Sequence, residues 1–89
     1  MSEVWMSPGM QRLSGGKEQV QVEGATIRQV VNNLEEECPG IKAHLCAEEE
    51  IMPGIAVIVD GQVTGLGMLE PVGEDSEVHF LPAIGGGRA

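Results

Sequence analysis

Gly85, Gly86 and Gly87 stand together near the end of the 89-residue chain, followed only by Arg88 and Ala89. Glycine has no Cβ, so three in a row make the loosest backbone a chain can have. Such a run adds nothing to a core. It can thread a narrow channel and let another protein's atoms approach its carbonyl carbon. A frayed terminus would also account for it, so the rest of the chain has to decide.

The other residues with reactive side chains give weaker signals. Cys38, His44, Cys46 and His79 could suggest a metal, but their spacing does not match a paired zinc-knuckle pattern. Cys38 falls on the apolar stripe of a helix, which reads as a buried thiol. Gly65-Leu66-Gly67 and the terminal glycines lack the strand-to-helix setting of a nucleotide-binding loop. No nucleophile elbow, phosphate loop or paired-carboxylate pocket stands out. The expectation is a chain with no catalytic residue, bound metal or cofactor of its own.

The elements around these residues read as follows. Val4, Trp5 and Met6 could start a strand, and Pro8-Gly9 interrupts it. Ser14-Gly15-Gly16-Lys17 is a turn signal. Residues 19–23 alternate, with Val20 and Val22 facing inward. Thr26 and Gln29 suit a capping box. Ile27, Val30, Val31, Leu34 and Cys38 then form one apolar helical stripe, which Pro39-Gly40 ends. Asn32, Asn33, Glu35, Glu36 and Glu37 read as a solvated face. A second short helix with Ile41 and Leu45 on one side fits residues 39–47. Glu48, Glu49 and Glu50 read as an acidic loop. Residues 55–59 are apolar on both faces, as in a central strand, and Asp60-Gly61 signals a hairpin. Leu66, Met68 and Leu69 are available to fill the core. Residues 73–76 turn into a last strand, 77–81. On it Val78 and Phe80 point to the helix side, and His79 and Leu81 to the other. The domain is expected to span residues 1–82, with a flexible tail over 83–89. One main helix over one face of a small mixed sheet is an α+β arrangement, compatible with a β-grasp whose first and last strands run parallel.

Composition narrows the partners. The formal charge is −9 and 42% of residues are hydrophobic, with Trp5 and Phe80 the only aromatics. The core must be aliphatic. Nucleic acid and anionic membrane repel so acidic a chain. Nothing at the start resembles a signal peptide, and the longest apolar run is far short of a membrane span. The chain reads as a cytoplasmic monomer with reduced thiols.

Over residues 24–87 the chain resembles the ubiquitin-like sulfur carriers that include ThiS and MoaD. Four stretches carry the likeness: Gly24-Ala-Thr-Ile27, Cys38-Pro-Gly-Ile41, Val57-Ile-Val-Asp-Gly61, and Glu77-Val-His-Phe-Leu-Pro-Ala-Ile-Gly-Gly-Gly87. The last is the specific one. The resemblance implies a β-grasp protein that is a substrate rather than an enzyme. An ATP-using adenylyltransferase of the ubiquitin-activating type would adenylate the carboxylate of Gly87. Sulfide or a persulfide would displace AMP and leave a thiocarboxylate, to be passed on at a sulfur-accepting synthase. Gly85 and Gly86 would line the activating channel. Ubiquitin-like proteins commonly dock through the sheet face, so His79, Leu81 and Ile84 are the expected partner surface, unless nearby loops cover Leu81. Arg88-Ala89 departs from the family pattern, since a blocked Gly87 cannot be adenylated. Trimming between Gly87 and Arg88, by a JAMM-type zinc metallopeptidase using metal-activated water, would remove the block. The opposing reading takes the dipeptide as a remnant or as the mark of a lost carrier role. Two other functions remain open: a modifier joined to lysines through Gly87, and a non-covalent β-grasp binding module.

Overall fold

The alternation of residues 19–22 settles the first pairing. In a computed structural model, which describes residues 1–82, Ser2–Trp5 (β1) pairs antiparallel with Gln19–Val22 (β2), and Val4 faces Val20 across the ladder. Both valines, with Val22, are buried. Between the strands, Pro8–Gln11 forms a helical turn (α1) where the sequence suggested a plain break. Proline suits the first turn of a helix because its missing N–H would have no partner there. The turn places Met10 in the core at 1% exposure.

The main helix, Ile27–Glu37 (α2), begins as expected, with the Thr26 hydroxyl accepting the Gln29 N–H at 3.4 Å. The Gln29 side chain reaches back one residue further than a standard capping box, accepting the Ala25 N–H at 2.8 Å. Ile27, Val30, Val31 and Leu34 have no exposure, and Cys38 continues the stripe at 3%. Gly24 is needed for the approach of β2 to α2. A Cβ there would lie 2.8 Å from the Val30 nitrogen and 2.9 Å from its Cγ2.

One part of the expected solvated face is structural. The Glu35 carboxylate accepts the Lys42 N–H at 2.8 Å and the Gly40 N–H at 3.1 Å, bridging α2 to Ile41–Leu45 (α3). These amide bonds, that of Lys42 foremost, hold its pKa below the ordinary value. Asn33 donates to the Glu23 carbonyl at 2.7 Å. The acidic loop is also more ordered than expected: Cys46–Ala47 (β3) and Glu50–Ile51 (β4) form a hairpin turned by Glu48 and Glu49, with φ of 54° and 66°. Asn-Gly usually marks such a turn, and two glutamates give no such signal.

Ile55–Val59 (β5) and Gln62–Val63 (β6) are joined through Asp60-Gly61 as expected. Glu77–Pro82 (β7) completes a five-stranded sheet in the order β2-β1-β7-β5-β6. The first and last strands lie side by side and parallel, with Val4 opposite Val78, which is the β-grasp arrangement. Of β5 only Val57 is buried; Ala56 and Ile58 sit half-buried on the uncovered face. The 3-10 turn Gly67–Leu69 corrects another expectation: Met68 enters the core, but Leu66 and Leu69 stay 60% and 68% exposed. Residues three apart in a 3-10 turn share one side, so burying Met68 turns both leucines out.

The start of β7 is tied down by Asp60. Its carboxylate accepts the Glu77 N–H at 2.9 Å and the Ser76 hydroxyl at 2.9 Å, and these bonds lower its pKa from the ordinary 3.8, the Glu77 amide contributing most. Ser76 in turn accepts the Gly73 N–H at 2.8 Å. A lowered folded pKa means stability that is present above the unfolded value and lost as pH falls through the folded one. Urea unfolding should therefore show a stability loss on acidification below about pH 4, and Asp60→Asn should flatten that acid limb while lowering stability at pH 7. At the helix start, Gly24→Ala should cost about 1–3 kcal/mol by the overpacking it forces against Val30, read as a fall in urea midpoint at unchanged m-value.

Candidate functional site

The strand that ends the described chain lies between two others, so its side chains have fixed addresses. Val78 and Phe80 are buried toward α2, at 0% and 2% exposure, as the alternation predicted. His79 and Leu81 lie on the uncovered face. There His79 is register partner to Trp5 on β1 and to Ile58 on β5, and Leu81 to Ala56. The Trp5 and His79 rings stack with centroids 5.4 Å apart and planes within 4°. Glu77 reaches His79 Nε2 only at 4.0 Å. The indole Nε1 of Trp5 is buried with no hydrogen-bond partner among the described residues, a cost an apolar core residue would not carry.

Leu81 is 40% exposed, so the loops do not cover it. Two clefts open beside it. A cavity of about 180 Å³ is lined by Met10, Leu45, Ile55 and Phe80 among others. A wider one of about 480 Å³ runs past Trp5, Met6 and His79. Ser7, His44 and Leu81 line both. The last described residues therefore leave the sheet beside a largely apolar basin, with His44 lining both clefts and His79 the wider one. Of the residues expected to do chemistry, the structure brings His79 and Leu81 together on one face. Ile84, Gly85, Gly86, Gly87 and Arg88 lie outside the described residues.

Trp5, Ser7 and His44 were missed as members of this basin. Trp5 was legible only through register: once β1 and β7 are parallel neighbours, Trp5 must stand beside His79. The sequence gives no signal for Ser7 or His44, because the fold of α1 against α3 brings them in.

The thiols are poor nucleophiles here. Cys38 and Cys46 are free and buried, and burial pushes both pKa values up. Among the described residues no group of three His, Cys, Asp or Glu side chains is placed to hold a metal ion. No described helix is long and apolar enough to cross a membrane.

The strand order β2-β1-β7-β5-β6, with β1 and β7 parallel and α2 across one face, defines a β-grasp, ubiquitin-like fold. The ThiS family model matches residues 9–87, and the chain belongs to the ThiS family. No curated protein matches it in sequence. Among solved structures it is similar to a chain of the BexX/CysO complex of Amycolatopsis orientalis, with 28% identity, 98% of this chain and 100% of that chain covered, and a TM-score of 0.90. CysO of Mycobacterium tuberculosis aligns at 20% identity over 94% of this chain and 100% of that one, with a TM-score of 0.87. The small archaeal modifier protein 1 of H. volcanii aligns at 20% identity over 93% and 97%, with a TM-score of 0.69. These last two likenesses speak for the fold.

The chain's single tryptophan makes the stack measurable. His79→Ala should uncover one face of the Trp5 ring, shifting its emission to the red and raising iodide quenching. Stability should change by no more than about 1 kcal/mol, the scale of one aromatic pair.

Proposed function

We propose that this protein is a sulfur carrier whose working group is the carboxylate of Gly87. The observation that carries the reading is the family match itself: it runs to residue 87 and leaves Arg88 and Ala89 outside. In the proposed sequence, a JAMM-type zinc metallopeptidase hydrolyses the Gly87–Arg88 peptide bond and frees the Gly87 carboxylate. The carboxylate attacks the α-phosphorus of ATP on a ubiquitin-activating-type adenylyltransferase, expelling pyrophosphate and forming the acyl-adenylate. Sulfide or a persulfide sulfur then attacks the acyl carbon and AMP leaves. A persulfide donor also needs reductive cleavage of its S–S bond by a thiol. The resulting thiocarboxylate gives its sulfur to an acceptor on a synthase. Gly85 and Gly86 suit this chemistry because a side chain next to the acyl carbon would obstruct its approach geometry.

The open face is the proposed docking surface. Leu81 and His79 stand where β7 leaves the sheet, the apolar basin lies beside them, and Ile84 follows two residues beyond Pro82. An adenylyltransferase that grips this face holds the tail at a fixed distance from its own active site.

Intact mass of the protein from its own source organism tests the proposal. A species ending at Gly87 and heavier than the plain acid by the sulfur–oxygen mass difference is expected. Unmodified full-length chain under every growth condition would overturn it, and lysine-linked adducts in place of thiocarboxylate would replace it with the modifier reading. Leu81→Asp should lower kcat/KM for adenylation of the trimmed protein by about tenfold or more, the effect of one interface anchor, with little change in melting temperature.

A further inference from the structure

The connection between β6 and β7 carries an apolar surface with no part in the tail chemistry. Leu66 and Leu69 are exposed on one side of the 3-10 turn. The connection is pinned at both ends. The Thr64 N–H donates to Val57 O at 2.9 Å, the Ile27 N–H to Glu70 O at 2.9 Å, and the Val72 N–H to Ala25 O at 3.0 Å. The leucines are thus held outward on a fixed frame. With Ile51 and Met68 they line a groove of about 330 Å³, walled by Glu49, Glu50 and Arg28. It shares no lining residue with the two clefts beside Leu81.

Charge selects the occupant. Glu48, Glu49 and Glu50 form the β3–β4 hairpin, and Glu70 follows the leucines in the chain. Arg28 is the cation in the lining, and Lys42 is bound to Glu49 at 3.3 Å. Glu49 and Glu50 of the lining are balanced by Arg28 and Lys42, and Glu48 and Glu70, adjacent to it in the chain, make the surroundings net acidic, on a chain of formal charge −9. A second copy would bring the same acidic rim against itself, which like-charge repulsion opposes. We infer that the Leu66–Leu69 groove docks a partner segment whose apolar anchors are flanked by lysine or arginine. The apolar anchors fill the space over Met68 and the basic flanks meet the glutamate rim. This surface lies apart from the open sheet face, so a second protein can hold the carrier while its tail is engaged elsewhere.

The test is a titration of the intact, isotope-labelled chain with a synthetic helical peptide bearing leucines at i and i+3 between lysines, followed by amide chemical shifts. Its readout does not involve Gly87, so it is independent of the carrier reading. Shifts should concentrate at residues 48–51 and 66–69. Leu66→Ser/Leu69→Ser should weaken binding about tenfold or more, Glu48→Gln/Glu50→Gln should weaken it and reduce its salt dependence, and melting temperatures should hardly move. Shifts centred on Trp5, His79 and Leu81 would overturn the inference. So would equal affinity for the same peptide with glutamates in place of lysines, or a concentration-dependent dimer abolished by the serine variant, which would assign the groove to a second copy.

Discussion

Everything in this molecule hangs on the parallel pairing of β1 with β7. The two strands are separated by nearly the whole chain, so their hydrogen bonds close it on itself. That closure is entropically costly, and the apolar layer beneath offsets it: Val4 and Val78 face each other at zero exposure and Phe80 at 2%. The pairing has three consequences. It places β7 in the interior of the sheet, with neighbours on both sides. It sets Trp5 against His79 on the uncovered face. It also gives the end of the described chain a rigid base.

The Asp60 network guards the other end of β7. Asp60 belongs to the β5–β6 turn, yet its carboxylate holds Ser76 and Glu77, and Glu3 of β1 donates to the Ser76 carbonyl at 2.8 Å. One acidic side chain therefore fixes where β7 starts relative to both neighbouring strands. Because strand side chains alternate, a slip of one residue would carry Val78 and Phe80 to the open face and His79 and Leu81 into the core. The turn is not a passive link. It secures the register that puts the apolar basin at the strand's end.

Much of the fold was legible because it is written in periodicity. The stripe from Ile27 to Cys38, the alternation of Val20 with Val22, and that of Val78 with Phe80 each point to one burial pattern, and the structure shows those patterns. The β-grasp followed from element order together with the ThiS-type motifs. What escaped had no periodic signature. Two glutamates turning a hairpin, Pro8 opening a helical turn, and Glu35 tying α2 to α3 are decided by contacts between segments. Hydropathy makes Leu66, Met68 and Leu69 all available to the core. Local 3-10 geometry let only Met68 in. For the candidate site, alternation placed His79 and Leu81 correctly, whereas Trp5, Ser7 and His44 join them only through the tertiary arrangement.

The placement of the cysteines fits the carrier reading in a further way. An acyl-adenylate is a strong electrophile, and a nearby thiolate would capture it as a thioester on the wrong sulfur. Thiolates, not thiols, are the nucleophiles. Both cysteines of this chain are buried, and their pKa values are raised chiefly by that burial. Cys38 closes the apolar stripe of α2, and Cys46 begins the small hairpin after α3. Both serve as small apolar side chains. The same apolar layer that stabilises the sheet thereby keeps both thiols buried and protonated.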